Sequence, residues 1–341
     1  MKHKLKNKIV HIIIMDKFIP PFIDFIDENF DITQHSFIIL GKEKYKYGLT
    51  QKHDVTWIST PIKLVTLTFN LHHAKKIIMH GLWSKLCNII LLIQPWVLKK
   101  TYWIIWGGDL YSLREKDDFA KKYVIQNLGG IICYHSSEYN IAVTLGNTQG
   151  KFFQSFFYPS NLYKDIELHT EEHKEVNIQI GNSADPSNNH LEVLTYLQKY
   201  KDENIKVIVP LSYGDKEYAN EVIQKGKNLF GEKFVPIVEY MSFDNYMKLL
   251  SSIDIAIFHH NRQQAMGNIT TLIGLGKKVY VSKDVITWNY LSDIGIKIFD
   301  IKNFNLLLLD NKIQEKNMKL TKDYFSKQNL ISQWHTILES N

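Results

Sequence analysis

Short apolar runs alternate with longer stretches of helical period along the whole chain. Runs such as HIIIM (11–15) and WIIW (103–106) are apolar at every position, not every second one. Strands of that kind are buried on both faces, as in a parallel sheet covered by helices. The pattern predicts strands at 8–15, 36–40, 55–58, 76–79, 102–106 and 130–134. Helices are expected between them at 22–29, 62–71, 82–93, 115–127 and 137–145.

A polar, charged stretch at 163–175 (YKDIELHTEEHKE) reads as a linker. Beyond it the alternation resumes. Strands are expected at 176–181, 205–210, 234–237, 253–258, 278–281 and 297–299, and helices at 188–200, 216–230, 242–250, 265–275 and 322–338. This is an α/β pattern of two Rossmann-like, doubly wound domains. Domains are expected at 1–162 and 176–320, with residues 321–341 forming a helix that packs back across the domains. Two such domains facing a cleft describe a GT-B architecture. A periplasmic-binding fold shares the outline but calls for a signal peptide. Here the basic start MKHKLKNK and the apolar run after it lead into Asp16, Lys17 and Pro20, with no small-residue cleavage site.

Composition narrows the class. Of the residues, 45% are hydrophobic and 22% charged, which excludes disordered and collagen-like chains. Cys87 and Cys133 are too few for a disulfide framework and suit a reducing compartment. The net charge of +6 is uneven: residues 1–160 hold 20 basic and 12 acidic side chains, leaving 21 and 23 for the rest. A basic first half fits an anionic partner: nucleic acid, lipid surface or phosphorylated substrate. It is also what lysine-rich composition alone would give. The lysines are spread over helices without a binding motif, so no nucleic-acid partner is expected. The most apolar run, 86–98, is too short to span a bilayer and is broken by Asn88, Gln94 and Pro95. With Lys99 and Lys100 after it, the 82–98 segment could dock on an anionic membrane surface, or form a buried core helix.

No G-x-G-x-x-G, P-loop, H-E-x-x-H or C-x-x-C is present, which removes simple dehydrogenase, ATPase and zinc-site readings. Chemistry concentrates instead at strand ends. After the strand ending at Ile180 comes GNSADPSNNH, where Gly181 permits close backbone approach and Asn182 and Ser183 offer donors. A plain turn at Asp185-Pro186 with Ser187 or Asn188 as helix cap fits the same letters. After IDIAIF comes HHNRQQAMGN, dense in donors: His260, Asn261, Arg262, Gln263 and Asn268, with Gly267 at the helix start. Arg262 is the only arginine of the second half, and a guanidinium binds phosphate bidentately. His259-His260 is a poor metal pair, because adjacent strand residues face opposite ways. In the first half, HGLW (80–83) and WGGDLY (106–111) present His80, Trp83, Asp109 and Tyr111, aromatic faces and a carboxylate suited to a sugar ring. Trp103 reads as a core anchor, and Asp109 could equally cap a helix.

The stretches HGLW (80–83), WIIWGGDLY (103–111), IGNSADPSNNHLEVL (180–194) and NRQQAMGNITTLIGLGKKVY (261–280) resemble one family. It is that of the TDP-N-acetylfucosamine:lipid II N-acetylfucosaminyltransferases of enterobacterial common antigen synthesis, which this chain resembles as a diverged member would. The resemblance implies a GT-B glycosyltransferase of surface polysaccharide synthesis. It would move 4-acetamido-4,6-dideoxygalactose from a TDP-sugar to an undecaprenyl-pyrophosphate-linked saccharide. It would work peripherally, at the cytoplasmic face of the bacterial inner membrane. It implies no cofactor and no metal, with Arg262 and helix N-termini receiving the departing diphosphate. Donor binding would fall to Gly181, Asn182, Ser183, His260, Asn261, Arg262, Gln263, Gly267 and Asn268, and acceptor binding to Trp83 and Tyr111. An inverting reaction needs a general base, for which Asp109 is the first choice, His80 the second and Asp16 the third. A retaining one needs none, and Asp109 would only position the acceptor. Alternatives are a capsule or lipopolysaccharide GT-B enzyme using another nucleotide sugar, and a non-catalytic nucleotide-sugar-binding protein.

Overall fold

A computed structural model describes residues 5–43, 46–115, 118–164 and 173–340. Residues 165–172 of the expected linker lie outside the described residues. The chain divides into two compact units, Met1–Ser160 with Lys327–Asn341, and Asn161–Ser326.

The first unit is built on seven strands: β1 (Ile9–Ile14), β2 (His35–Leu40), β3 (Val55–Ile58), β4 (Lys76–His80), β5 (Thr101–Ile104), β6 (Gly130–Cys133) and β7 (Lys151–Gln154). All pair in parallel in the order β3-β2-β1-β4-β5-β6-β7. The order reverses at β1, so loops at the carboxyl ends of β1 and β4 flank the switch point where such sheets bind ligands. The helices are α1 (Ile19–Asn29), α2 (Pro61–Leu71), α3 (Lys85–Leu92), α4 (Pro95–Leu98), α5 (Gly108–Glu115), α6 (Phe119–Asn127) and α7 (Ser136–Gly146). Local chemistry sets their starts. Thr60 and Ser84 cap the first turns of α2 and α3, and Pro61 occupies the first helical position of α2. Three expectations change here. The helix expected at 82–93 starts at Lys85 and is followed by the separate α4, where Pro95 begins a new turn. The one expected at 115–127 is two helices, because Asp118 accepts from Lys121 N and caps α6. The edge strand β7, KFFQ, was not expected at all.

The second unit repeats the plan with β8 (Val176–Ile180), β9 (Ile205–Pro210), β10 (Phe234–Ile237), β11 (Ile255–Phe258), β12 (Lys278–Val281) and β13 (Phe299–Asp300). Their order is β10-β9-β8-β11-β12-β13, all parallel, with the switch point between β8 and β11. Around the sheet lie α8 (His190–Leu197), α9 (Lys216–Phe230), α10 (Phe243–Ser251), α11 (Met266–Gly274), α12 (Ile286–Asp293) and α13 (Asn311–Tyr324). α12 had no counterpart in the sequence pattern.

The final helix expected at 322–338 is divided at Phe325-Ser326. α13 ends in the second unit, and α14 (Lys327–Glu339) belongs to the first. On α14, Trp334 is fully buried against Phe22, with ring centroids 4.9 Å apart, and donates to Phe157 O at 2.8 Å. Buried Lys76 of β4 donates to the carbonyls of Ile337, Leu338 and Ser340 at 2.5, 3.2 and 2.6 Å, so it satisfies the open end of the helix.

Candidate active site

In the second unit, the loops following β8 and β11 meet. Gly181 has φ +62° and ends β8 with no room for a side chain, since a Cβ there would lie 2.6 Å from Asn188 Oδ1 and His190 Nε2. Asn188 is fully buried and ties the two loops together. Its Oδ1 accepts from Asn182 N at 3.1 Å and faces His260 Nε2 at 3.0 Å. Its Nδ2 donates to Asp185 O at 3.0 Å and to Ser183 Oγ at 3.4 Å. Asn189, at φ +52°, donates to His259 O and to Asn261 Oδ1, both at 2.7 Å. Ser187 Oγ donates to Asp185 Oδ1 at 2.6 Å and lies 3.0 Å from the side-chain amide of Gln264.

Of the donor-binding residues expected here, Gly181, Asn182, Ser183, His260 and Asn261 fall within this hydrogen-bonded pair of loops. Gln263 is buried beside it. Arg262 is a third exposed, and its Nη2 lies 3.8 Å from Asp185 Oδ2, too long for a hydrogen bond, so the guanidinium can turn toward an anion. Burial pushes the Asp185 carboxyl up, but bonds from Ser187 and the charge of Arg262 outweigh it and hold the group below its usual range. Burial, with the charges of His190 and Arg262, lowers His260 to about 3, which keeps it neutral. α11 begins after Ala265, at φ +58°, with no side-chain cap, so Met266 and Gly267 open the helix. Asn268 Oδ1 accepts from Tyr246 OH at 3.0 Å. His259 turns the other way from His260, to Ser282 Oγ at 2.6 Å and Glu192 Oε2 at 3.2 Å.

In the first unit, the loops after β4 and β5 meet around Asp109. Asp109 has no exposed surface. Its Oδ2 accepts from Leu82 N at 2.9 Å and Trp103 Nε1 at 2.7 Å, and its Oδ1 from Trp106 N and Leu110 N, both at 3.0 Å. Burial raises its carboxyl, against these bonds and the nearby Lys121. Four donors occupy both oxygens, so the carboxylate holds the two loops together. His80, the second candidate, is enclosed likewise. It is fully buried and lowered to about 3 by burial, with Nδ1 2.8 Å from Tyr158 OH and Nε2 3.1 Å from His11 Nδ1. Asp16, just after β1, is the only one of the three with a partly exposed side chain, and its Oδ1 accepts from Lys17 N at 2.6 Å. Phe18 beside it packs on Tyr158 and Trp106, with ring centroids 4.5 and 5.1 Å away.

Trp83 is 45% exposed, and its ring lies close to two glycines. A Cβ on Gly81 would meet its Nε1 at 2.5 Å, and one on Gly108 its Cη2 at 2.7 Å. Tyr111 is half-buried on α5 under the guanidinium of Arg114, 5.0 Å from its ring centre. Asn188, Tyr158 and Trp106 were missed as site residues. Only the run Asn188-Asn189-His190 hinted at the first. Among the described residues no group of three His, Cys, Asp or Glu is placed to hold a metal ion.

A family model described as 4-alpha-L-fucosyltransferase, glycosyl transferase group 56, matches residues 24–341. Among solved structures the chain is similar to HepE of Anabaena in complex with UDP and glucose, at TM-score 0.70 and 12% identity, covering 98% of this chain and 100% of that one. It is similar to a glycosyltransferase from Rickettsia africae at the same TM-score, identity and coverage. An alpha,alpha-trehalose-phosphate synthase (UDP-forming) from Burkholderia vietnamiensis matches at TM-score 0.67 and 6% identity, over 98% of each chain. At these identities the likeness shows the fold, which is GT-B.

Proposed function

The chain belongs to the 4-alpha-L-fucosyltransferase family, glycosyl transferase group 56, and on that premise we propose its donor, acceptor and catalytic groups. It is a nucleotide-sugar glycosyltransferase. The donor is a TDP-linked 4-acetamido-4,6-dideoxygalactose, bound by the paired loops of the second unit. The acceptor is an undecaprenyl-pyrophosphate-linked saccharide, met at the cytoplasmic face of the inner membrane. The observation that carries the donor site is the junction of the 181–190 and 259–268 loops at the β8/β11 switch point. There Arg262 stands beside the uncapped start of α11. A helix N-terminus and a guanidinium together suit a diphosphate.

The acceptor hydroxyl attacks the anomeric carbon, and the bond from that carbon to the β-phosphate oxygen breaks. Negative charge grows on the diphosphate, where Arg262 and the amides of Met266 and Gly267 offset it. For an inverting reaction the hydroxyl proton passes to Asp16, the one carboxylate of the three candidate bases that solvent reaches. Trp83 and Tyr111 stack on the acceptor sugar.

Titration calorimetry with TDP, UDP and GDP tests the donor. TDP should bind most tightly, and Arg262→Ala should weaken it by ~1.5–3 kcal/mol, the range for hydrogen bonds to charged groups. Unchanged TDP affinity in folded Arg262→Ala protein removes the site from this loop. HepE, similar in fold, holds UDP and glucose, and a preference for UDP would favour a UDP-sugar donor instead.

A further inference from the structure

Between residues 83 and 96 the exposed apolar side chains are Trp83, Leu86, Ile89, Ile93 and Trp96. Leu86, Ile89 and, at the C-cap, Ile93 follow one face of α3 at steps of three and four residues, with Trp83 just before the helix and Trp96 on α4 after it. On α2 the outward row is Ile62, Val65 and Phe69, at 79, 43 and 65% exposure. The opposite faces of both helices, Leu64, Leu67 and Leu71 on one and Cys87, Ile90 and Leu91 on the other, enter the same hydrophobic core. The helices also touch each other. Their outward rows therefore lie side by side on one face of the first unit. Eight of the eighteen large apolar side chains exposed among the described residues fall in these two rows. Soluble surfaces scatter such side chains singly, so a gathered set marks an interaction surface.

Charge identifies the partner. No Asp or Glu occurs between Asp54 and Asp109, while that stretch holds six lysines. Lys63, Lys75, Lys85 and Lys99 are exposed. A second copy of the chain would set this basic surface against itself, like charge on like. Anionic headgroups would satisfy the lysines, and exposed tryptophans before and after α3, Trp83 and Trp96, suit the water–lipid boundary. No helix among the described residues is long and apolar enough to cross a membrane. We propose that the outward faces of α2, α3 and α4 dock on an anionic lipid bilayer and lie in its headgroup layer. The proposal rests on the donor–acceptor reading above in one respect: a lipid-linked acceptor would arrive at Trp83, where the row meets the loops after β4 and β5.

Flotation on vesicles of phosphatidylglycerol mixed with phosphatidylcholine, against pure phosphatidylcholine, tests it. Wild-type protein should prefer the anionic vesicles, and added salt should weaken the binding. Phe69→Ser combined with Ile93→Ser should lower partitioning at least ~tenfold, with melting temperature and transfer to a short, water-soluble acceptor unchanged. Equal flotation of variant and wild type overturns the proposal. So does a wild-type dimer that the substitutions disperse in the absence of vesicle binding. Transfer to the soluble acceptor with no vesicle binding sinks the docking surface and leaves the function standing. Vesicle binding with no transfer from any TDP-sugar sinks the function and leaves the docking surface.

Discussion

Nδ1 of His11 lies 3.1 Å from Nε2 of His80, with both rings fully buried. The register explains the meeting. His80 pairs with Ile13, two residues along β1 from His11, and His35 pairs with Ile9, two residues the other way. Positions two apart share a sheet face, so the three rings form a diagonal across β2, β1 and β4. His11 Nε2 meets His35 Nδ1 at 2.9 Å, and at the far end Tyr158 OH accepts from Trp106 Nε1 at 2.9 Å. Each ring-to-ring contact joins one N–H to one bare nitrogen, so the row is satisfied when every ring is neutral.

That neutrality makes the protein acid-sensitive. Burial lowers His11 well below its usual value, His35 to about 4 and His80 to about 3. The unfolded chain takes up these protons near pH 6.5 and the folded chain does not. Stability is therefore full above about pH 6.5 and falls as pH drops toward the folded values. Each histidine should remove about 1 kcal/mol between roughly pH 6.5 and 5.5. Urea unfolding followed by tryptophan fluorescence at the two pH values measures this. PH-independent midpoints would refute it.

Glu138, fully buried at the start of α7, behaves oppositely. Burial pushes its carboxyl up to about 8, its Oε2 accepts from Tyr134 N at 3.2 Å, and its Oε1 has no hydrogen-bond partner. Unfolded, it ionises near the ordinary carboxylate value, so stability declines as pH rises from there through about 8. Glu138→Gln removes the proton dependence. The melting temperature of the variant minus that of wild type should be larger at pH 8 than at pH 5. A difference that stays constant with pH would count against the account.

The two aspartates should separate. Asp109→Asn keeps the shape but turns an NH2 toward N–H donors. It should lower stability by ~1.5–3 kcal/mol, since the bonds lost are to a charged group. Asp16→Asn should leave the melting temperature and TDP affinity alone and lower kcat by ~10²–10⁴. Full stability of Asp109→Asn, with kcat alone reduced, would restore Asp109 as the base.

Gly181→Ala probes the donor loop. The residue adopts φ +62°, and the new methyl would press on Asn188 and His190. Displacing Asn188 loosens both loops at once, so TDP affinity should fall while the fold, by circular dichroism, is kept. Unchanged calorimetric affinity would show that Asn188 does not hold the site.

The parallel sheets could be read from HIIIM and WIIW because burial on both faces leaves no alternation. β7 could not, because KFFQ is an edge strand whose ends, Lys151 and Gln154, are exposed. The two polar loops after β8 and β11 were legible for a local reason: each sets a polar run between an apolar strand and an apolar helix. Asn188 was not, because its importance arises only where His260 comes back to meet it. Asp109 after Gly107-Gly108 reads alike as a base or as a loop-builder. Two of the groups that bond its carboxylate, Leu82 N and Trp103 Nε1, come from outside the loop it sits in.

The place of α14 sets an order of events during synthesis. The face of the first sheet that carries His11, with Phe22 of α1 beside it, is closed by Trp334, and the whole of Asn161–Ser326 is made before that residue. At about 5–20 residues per second, a nascent chain waits on the order of ten seconds or more with that face open and Lys76 without its helix carbonyls. The second unit, continuous in sequence, has no such wait. On the ribosome every residue of the second unit is therefore in the chain before the last helix of the first unit is made.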